Sequence, residues 1–131
     1  MSAVDLVIIK VDPAKRIVAR LTVPPKMERL RTMIGARRTG KAALGLHRGA
    51  TLVVLAAMEP NPHAPGWAIK DLGEGIRGTG IIYSDIGFGP ADVSASAEWV
   101  RERILWLPPA NPLIVRGGKD DVQGTAIPVR P

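Results

Sequence analysis

Gly35-Ala36-Arg37-Arg38-Thr39-Gly40-Lys41 carries the first seven positions of the phosphate-binding pattern G-x-x-x-x-G-K-[ST]. In that pattern backbone N–H groups cradle phosphates and the lysine neutralises them. The eighth position should offer a hydroxyl to Mg²⁺. It is Ala42 here, and Ala43 cannot replace it. The residues ahead of Gly35 have helical spacing, whereas a phosphate-binding loop follows a buried strand. Ile81-Ile82-Tyr83-Ser84-Asp85 imitates the apolar strand ending in a metal-holding Asp, but it stands among glycine turns and not in a βαβ repeat. Nucleotide hydrolysis is therefore not expected, and the segment reads as a basic loop.

Its charge is the stronger signal. The chain has 18 Lys and Arg against 12 Asp and Glu, a net charge of +6. The stretch Lys26 to Arg48 holds seven of those bases (Lys26, Arg29, Arg31, Arg37, Arg38, Lys41, Arg48) and one acid, Glu28, so 7 − 1 = +6 lies in this stretch alone. A localised basic segment suits an acidic partner, most often a phosphate backbone; the bland alternative is a solvated face that maintains solubility. The aromatic residues Trp67, Tyr83, Phe88, Trp99 and Trp106 all fall in the C-terminal half. The sequence thus shows no interleaving of aromatics with bases, as a single-strand stacking platform would require. Backbone contact to duplex DNA or RNA needs none. The expectation is non-enzymatic, salt-sensitive binding of nucleic acid or another acidic partner, with the seven bases as contacts.

The remaining motifs carry less. Gly73-Glu74-Gly75-Ile76-Arg77-Gly78 fits G-x-G-x-x-G, but a strand-like run follows in place of the helix N-terminus that would receive a pyrophosphate. It reads as hairpin turn chemistry. His47 and His63 are the only histidines and cysteine is absent. They read as exposed loop residues and give neither a metal site nor a triad. Glu98 and Glu102 stand at i, i+4 with Arg101 and Arg103 interleaved, the pattern of a solvated charged face. No complete catalytic set is present, so no enzyme activity and no cofactor are expected.

These residues must be positioned by a small fold. At 131 residues, 46% hydrophobic and 23% charged, the chain is long enough for one domain with a buried core. Leu6 to Val11 and Ile17 to Val23 read as a hairpin around Asp12-Pro13. Met27, Leu30, Met33 and Ile34 share one face of a short helix closed by Gly35. Lys41 to Leu46 reads as a short helix or open loop, and Thr51 to Met58 as a central strand covered on both faces. Residues 59–66 read as loop, and strands follow around Trp67 to Ile69 and Ile81 to Ser84. Ser94 or Ser96 caps a helix that ends before Pro108-Pro109. Leu113 to Arg116 and Thr125 to Val129 read as a terminal hairpin. The expected fold is a single α+β domain over residues 1–131: a mixed or antiparallel sheet of about five strands with two helices packed on it. Residues 109–131 form the hairpin or docking tail. The apolar Leu113-Ile114-Val115 in that proline-rich tail raises a second function, a structural or assembly protein, either a phage particle component or a homo-oligomer. The longest apolar run, Leu52 to Met58, is too short to span a bilayer, and the N-terminus lacks a secretory pattern; cytoplasmic residence without a membrane partner is expected.

The Val-Asp-Pro turn, the helix ending Leu-Arg-Thr-Met-Ile-Gly (Leu30 to Gly35) and the strand Ile-Arg-Gly-Thr-Gly-Ile-Ile (Ile76 to Ile82), followed by a loop and a helix, resemble small proteins encoded by phages and plasmids. The resemblance covers about the first 105 residues. It implies a phage or plasmid setting and no particular activity.

Overall fold

The computed structural model describes residues 5–109. Nine strands and two helices occur in the order β1 (Leu6–Asp12), β2 (Ile17–Val23), α1 (Met27–Ile34), β3 (Thr39–His47), β4 (Ala50–Ala57), β5 (Gly66–Ile69), β6 (Leu72–Arg77), β7 (Gly80–Asp85), β8 (Pro90–Ala91), α2 (Ala97–Arg103) and β9 (Ile104–Leu107). The main sheet runs β2-β1-β7-β4-β3, with the short β8 also on β7, and every pairing is antiparallel. A smaller sheet runs β6-β5-β9, also antiparallel. The α+β class and the five-strand sheet with two helices are therefore as expected; the second sheet is an addition.

Why the main sheet forms where it does follows from its sequence. A strand covered on both faces cannot alternate apolar and polar residues. Leu6-Val7-Ile8-Ile9 and Leu52-Val53-Val54-Leu55 are such unbroken runs. Their two parities enter two separate cores. One face gathers Ile9, Val11, Leu52, Val54 and Ile82 beneath Trp67 and Ile69 of the smaller sheet and Val100 of α2. The other gathers Leu6, Ile8, Val53, Leu55, Ile81 and Tyr83 beneath Leu30 of α1, with Met27, Met33 and Ile34 around it. Trp67 is fully buried, and its indole Nε1–H donates to the Gly78 carbonyl at 3.1 Å.

Three expectations change. Residues 41–46 are strand, not helix or loop: β3 pairs with β4 from Thr39–Ala57 to His47–Ala50, with a bulge between Ala43 and Gly45. Lys-Ala-Ala is a good helix former, but Gly40 and Gly45 bracket it, and the long ladder to β4 overrides local preference. The Gly73–Gly78 segment is not a turn. It is most of strand β6, and the turn lies earlier, at Lys70-Asp71. Its glycines serve packing, since a Cβ on Gly73 would stand 2.9 Å from Leu44 Cδ2 and one on Gly75 2.9 Å from Leu107 Cδ1. Finally, the helix capped by Ser96 stops at Arg103, and Ile104 to Leu107 pair with β5. That places Trp106 opposite Trp67 across the strands. The terminal hairpin and docking tail fall almost wholly outside the described residues. No described helix is long and apolar enough to cross a membrane.

Candidate nucleic-acid interface

The basic segment begins on α1. Its apolar stripe seats Leu30 in the core, which leaves Arg29 and Arg31 exposed. Four residues separate Met27 from Arg31, about one turn, so these two lie on one side, while Arg29 points roughly 200° away from Arg31. The helix ends at Gly35, which takes the left-handed conformation (φ 74°) and donates its N–H to the Arg31 carbonyl at 3.1 Å. Glycine alone reaches that conformation without steric cost. The chain therefore reverses immediately and returns through Ala36, Arg37 and Arg38 into β3. The Arg38 carbonyl accepts from Met58 N–H at 2.9 Å, which ties the start of β3 to the end of β4.

This turn brings the arginines together. Arg31, Arg37 and Arg38 line a shallow pocket of about 270 Å³ with Ala36, Thr39 and Met58. Arg31 also walls an adjoining pocket of about 250 Å³ with Met27, Thr39, Gly40, Lys41, Leu55 and Pro90. Lys41 stands opposite Leu55 in the β3–β4 ladder and so shares the face that α1 covers. Four cations thus border one continuous surface. Among the described residues Arg31, Arg37 and Lys41 have no side-chain hydrogen bond or ion pair. Arg38 approaches Glu59 at 3.9 Å, with both side chains more than 60% exposed (63% and 78%). Such a solvated pair is worth little and leaves the guanidinium free to exchange partners.

The other bases do not join this surface. Lys26 occupies the N-cap position of α1, where its side chain makes no cap. Arg48 lies in the β3–β4 turn (φ 51°), roughly 30 Å from Thr39 along the strand at about 3.3 Å per residue. The phosphate-loop resemblance also fails on polarity. A phosphate-binding loop delivers phosphate to a helix N-terminus; Gly35 to Lys41 leaves a helix C-terminus and enters an edge strand. The partial negative charge of that terminus favours the arginines themselves, so any attraction for an anion comes from side chains alone.

A second polar cluster sits at the far end of β3. His47 is not an exposed loop residue. It ends the strand half-buried, with Nδ1 2.8 Å from Ser94 Oγ. Ser94 Oγ also lies 3.2 Å from the His47 carbonyl and 3.3 Å from Ser84 Oγ, and Ser94 N–H donates to Ser84 Oγ at 2.8 Å. With a proton on His47 Nδ1, Ser94 accepts from His47 and Ser84 and donates to the carbonyl. The network pins the segment before α2 to the sheet. The His47 ring meets Trp99 edge-on at 4.7 Å, and the Arg103 guanidinium lies 4.4 Å from the Trp99 ring centre. Burial, then the nearby Arg48 and Arg103 charges, hold the His47 pKa below its ordinary value. No three of His, Asp and Glu gather into a metal site among the described residues. Glu98 and Glu102 lie exposed on α2, and among the described residues the latter pairs with Arg103, at 3.4 Å.

Sequence reasoning missed two contributors to the basic surface, Met58 and Pro90. Neither carries a local signal, because each reaches the site only through the order of strands. No family model matches this chain, and no curated protein or solved structure matches it either.

Proposed function

We propose that this is a non-enzymatic nucleic-acid-binding protein that contacts the phosphate backbone through Arg31, Arg37, Arg38 and Lys41. The observation carrying this reading is the shared wall. Arg31 borders two adjoining pockets, and the side chains of Arg31, Arg37 and Lys41 are uncommitted among the described residues. At about 270 and 250 Å³, each pocket falls below the roughly 300–1,000 Å³ typical of clefts that enclose a small molecule. A site of that size grips one group of a larger ligand, and cations at that density fit phosphate. The contacts would be charge-assisted hydrogen bonds, bidentate where a guanidinium meets two phosphate oxygens.

The test is binding of labelled oligonucleotides by the wild type and by a variant combining Arg31→Gln, Arg37→Gln and Lys41→Gln. Each lost phosphate contact removes about 0.7–0.9 log units at 0.1 M salt relative to 1 M, so three together lower affinity by roughly a hundredfold or more. Arg48→Gln, at the far end of β3, changes it little. Unaltered affinity in the triple variant, or no binding by the wild type at low salt, overturns the reading.

A further inference from the structure

Pro90, which shares a pocket with Arg31 and Lys41, is the first residue of β8 and closes the loop from β7. Phe88 stands two residues earlier and is 94% exposed, and Ile86 in the same loop is 60% exposed. An aromatic side chain left almost wholly in water at a loop tip forgoes the burial that usually makes it favourable. The loop is nonetheless held in shape. Asp85 Oδ1 accepts from Gly87 N–H at 2.7 Å, Gly87 and Gly89 take φ values of 104° and 110° on either side of Phe88, and Asp85 pairs with Pro90 across the β7–β8 ladder. A phenyl ring is thus presented on a defined turn whose other end reaches the basic surface. Two residues of chain span at most about 7 Å.

From this placement we infer that the nucleic acid is single-stranded, with a base stacked on Phe88 while the adjoining phosphates lie against Arg31 and Lys41. This rests on the reading of the basic surface given above and specifies its partner. The sequence shows no interleaving of aromatic and basic residues, but Pro90, two residues from Phe88, lines the pocket of Arg31 and Lys41. Asp85 stands beside Thr51 and Thr51 opposite Leu46, so the loop leaves the sheet at its His47 end and returns to that pocket at Pro90. An unpaired base has an open π-face that a duplex hides, and stacking on an aromatic ring beside a cationic groove is how single strands are held without sequence preference.

The experiment measures affinity for a single-stranded oligonucleotide and for its duplex at equal salt, with wild type, Phe88→Ala, Phe88→Leu and Phe88→Tyr. Because Phe88 is exposed, all four should fold alike, and a melting curve checks it. Phe88→Ala should weaken single-strand binding by about 5- to 150-fold, the range for loss of one base stack, and change duplex binding less than about twofold. Phe88→Tyr should retain single-strand affinity and Phe88→Leu should not, because stacking needs a ring. Equal single-strand affinity in wild type and Phe88→Ala overturns the inference; if the triple glutamine variant is still impaired, the basic-surface reading survives alone. Equal losses for duplex and single strand overturn it in favour of a wedge between base pairs. Binding to phosphatidylserine vesicles that Phe88→Ala abolishes and Phe88→Leu retains, with oligonucleotide binding untouched, overturns it in favour of a membrane surface. Absence of any oligonucleotide binding by the wild type removes both readings together.

Discussion

The proposed nucleic-acid binding makes its sharpest prediction in the number of phosphate contacts. The sequence offers seven bases between Lys26 and Arg48, but the fold gathers only Arg31, Arg37, Arg38 and Lys41 on one surface. Each phosphate neutralised by a cation releases condensed counterions, and for single strands log K falls with log salt by about 0.7 per contact. Four contacts give a slope of about −2.8 and seven a slope of about −4.9. Between 50 and 200 mM salt these correspond to roughly 50-fold and roughly 900-fold losses of affinity, well separated in a fluorescence-anisotropy titration. Single substitutions sharpen the count. Arg37→Gln should flatten the slope by about 0.7, whereas Arg48→Gln and Arg29→Gln should leave it unchanged within about 0.2. The reason is placement: Arg48 lies at the opposite end of β3, and Arg29 points away from Arg31 around α1. A wild-type slope near −5, with an equal decrement from each of the seven bases, would refute the partition and show that the whole segment wraps its ligand.

Two further outcomes follow from packing and charge. Gly80→Ala should destabilise the protein by about 1–3 kcal/mol in denaturant titration, because the added methyl would lie 2.5 Å from Trp67 Cζ2 and 3.1 Å from Val54 Cγ2; unchanged stability would show that the indole can shift. The His47 pKa is held below its ordinary value by burial, Arg48 and Arg103. The unfolded chain therefore binds more protons than the native one as pH falls below about 6.5. Stability should be fully present above that pH and decline as pH falls below it toward the native-state pKa, and His47→Gln should reduce the change in melting temperature measured between about pH 7.5 and 5.5; an identical change in both proteins would refute this origin.

The strands were legible because their causes are local. Leu6 to Val11 and Leu52 to Leu55 are too continuously apolar for anything but strands buried on both faces, and Met27, Leu30, Met33, Ile34 and Gly35 specify a short helix and its stop. The errors fell where pairing partners are distant. Lys41-Ala42-Ala43 is helix-capable by itself and becomes strand because β4 offers a ladder along its length. Gly73 to Gly78 looks like turn chemistry and becomes strand because its glycines admit Leu44 and Leu107.

The same division runs through the candidate site. Charge is a property of the chain, so the sequence by itself determined that the excess is +6 and that all of it lies between Lys26 and Arg48. Which bases act together is a property of direction and distance. A left-handed glycine after α1 folds Arg37 and Arg38 back beside Arg31, a nine-residue strand removes Arg48 to the other end, and the pairing of β8 with β7 sets Pro90 in the pocket of Arg31 and Lys41. Only the tertiary structure could decide those, because strand order joins residues far apart in sequence, and no local pattern of residue types encodes it.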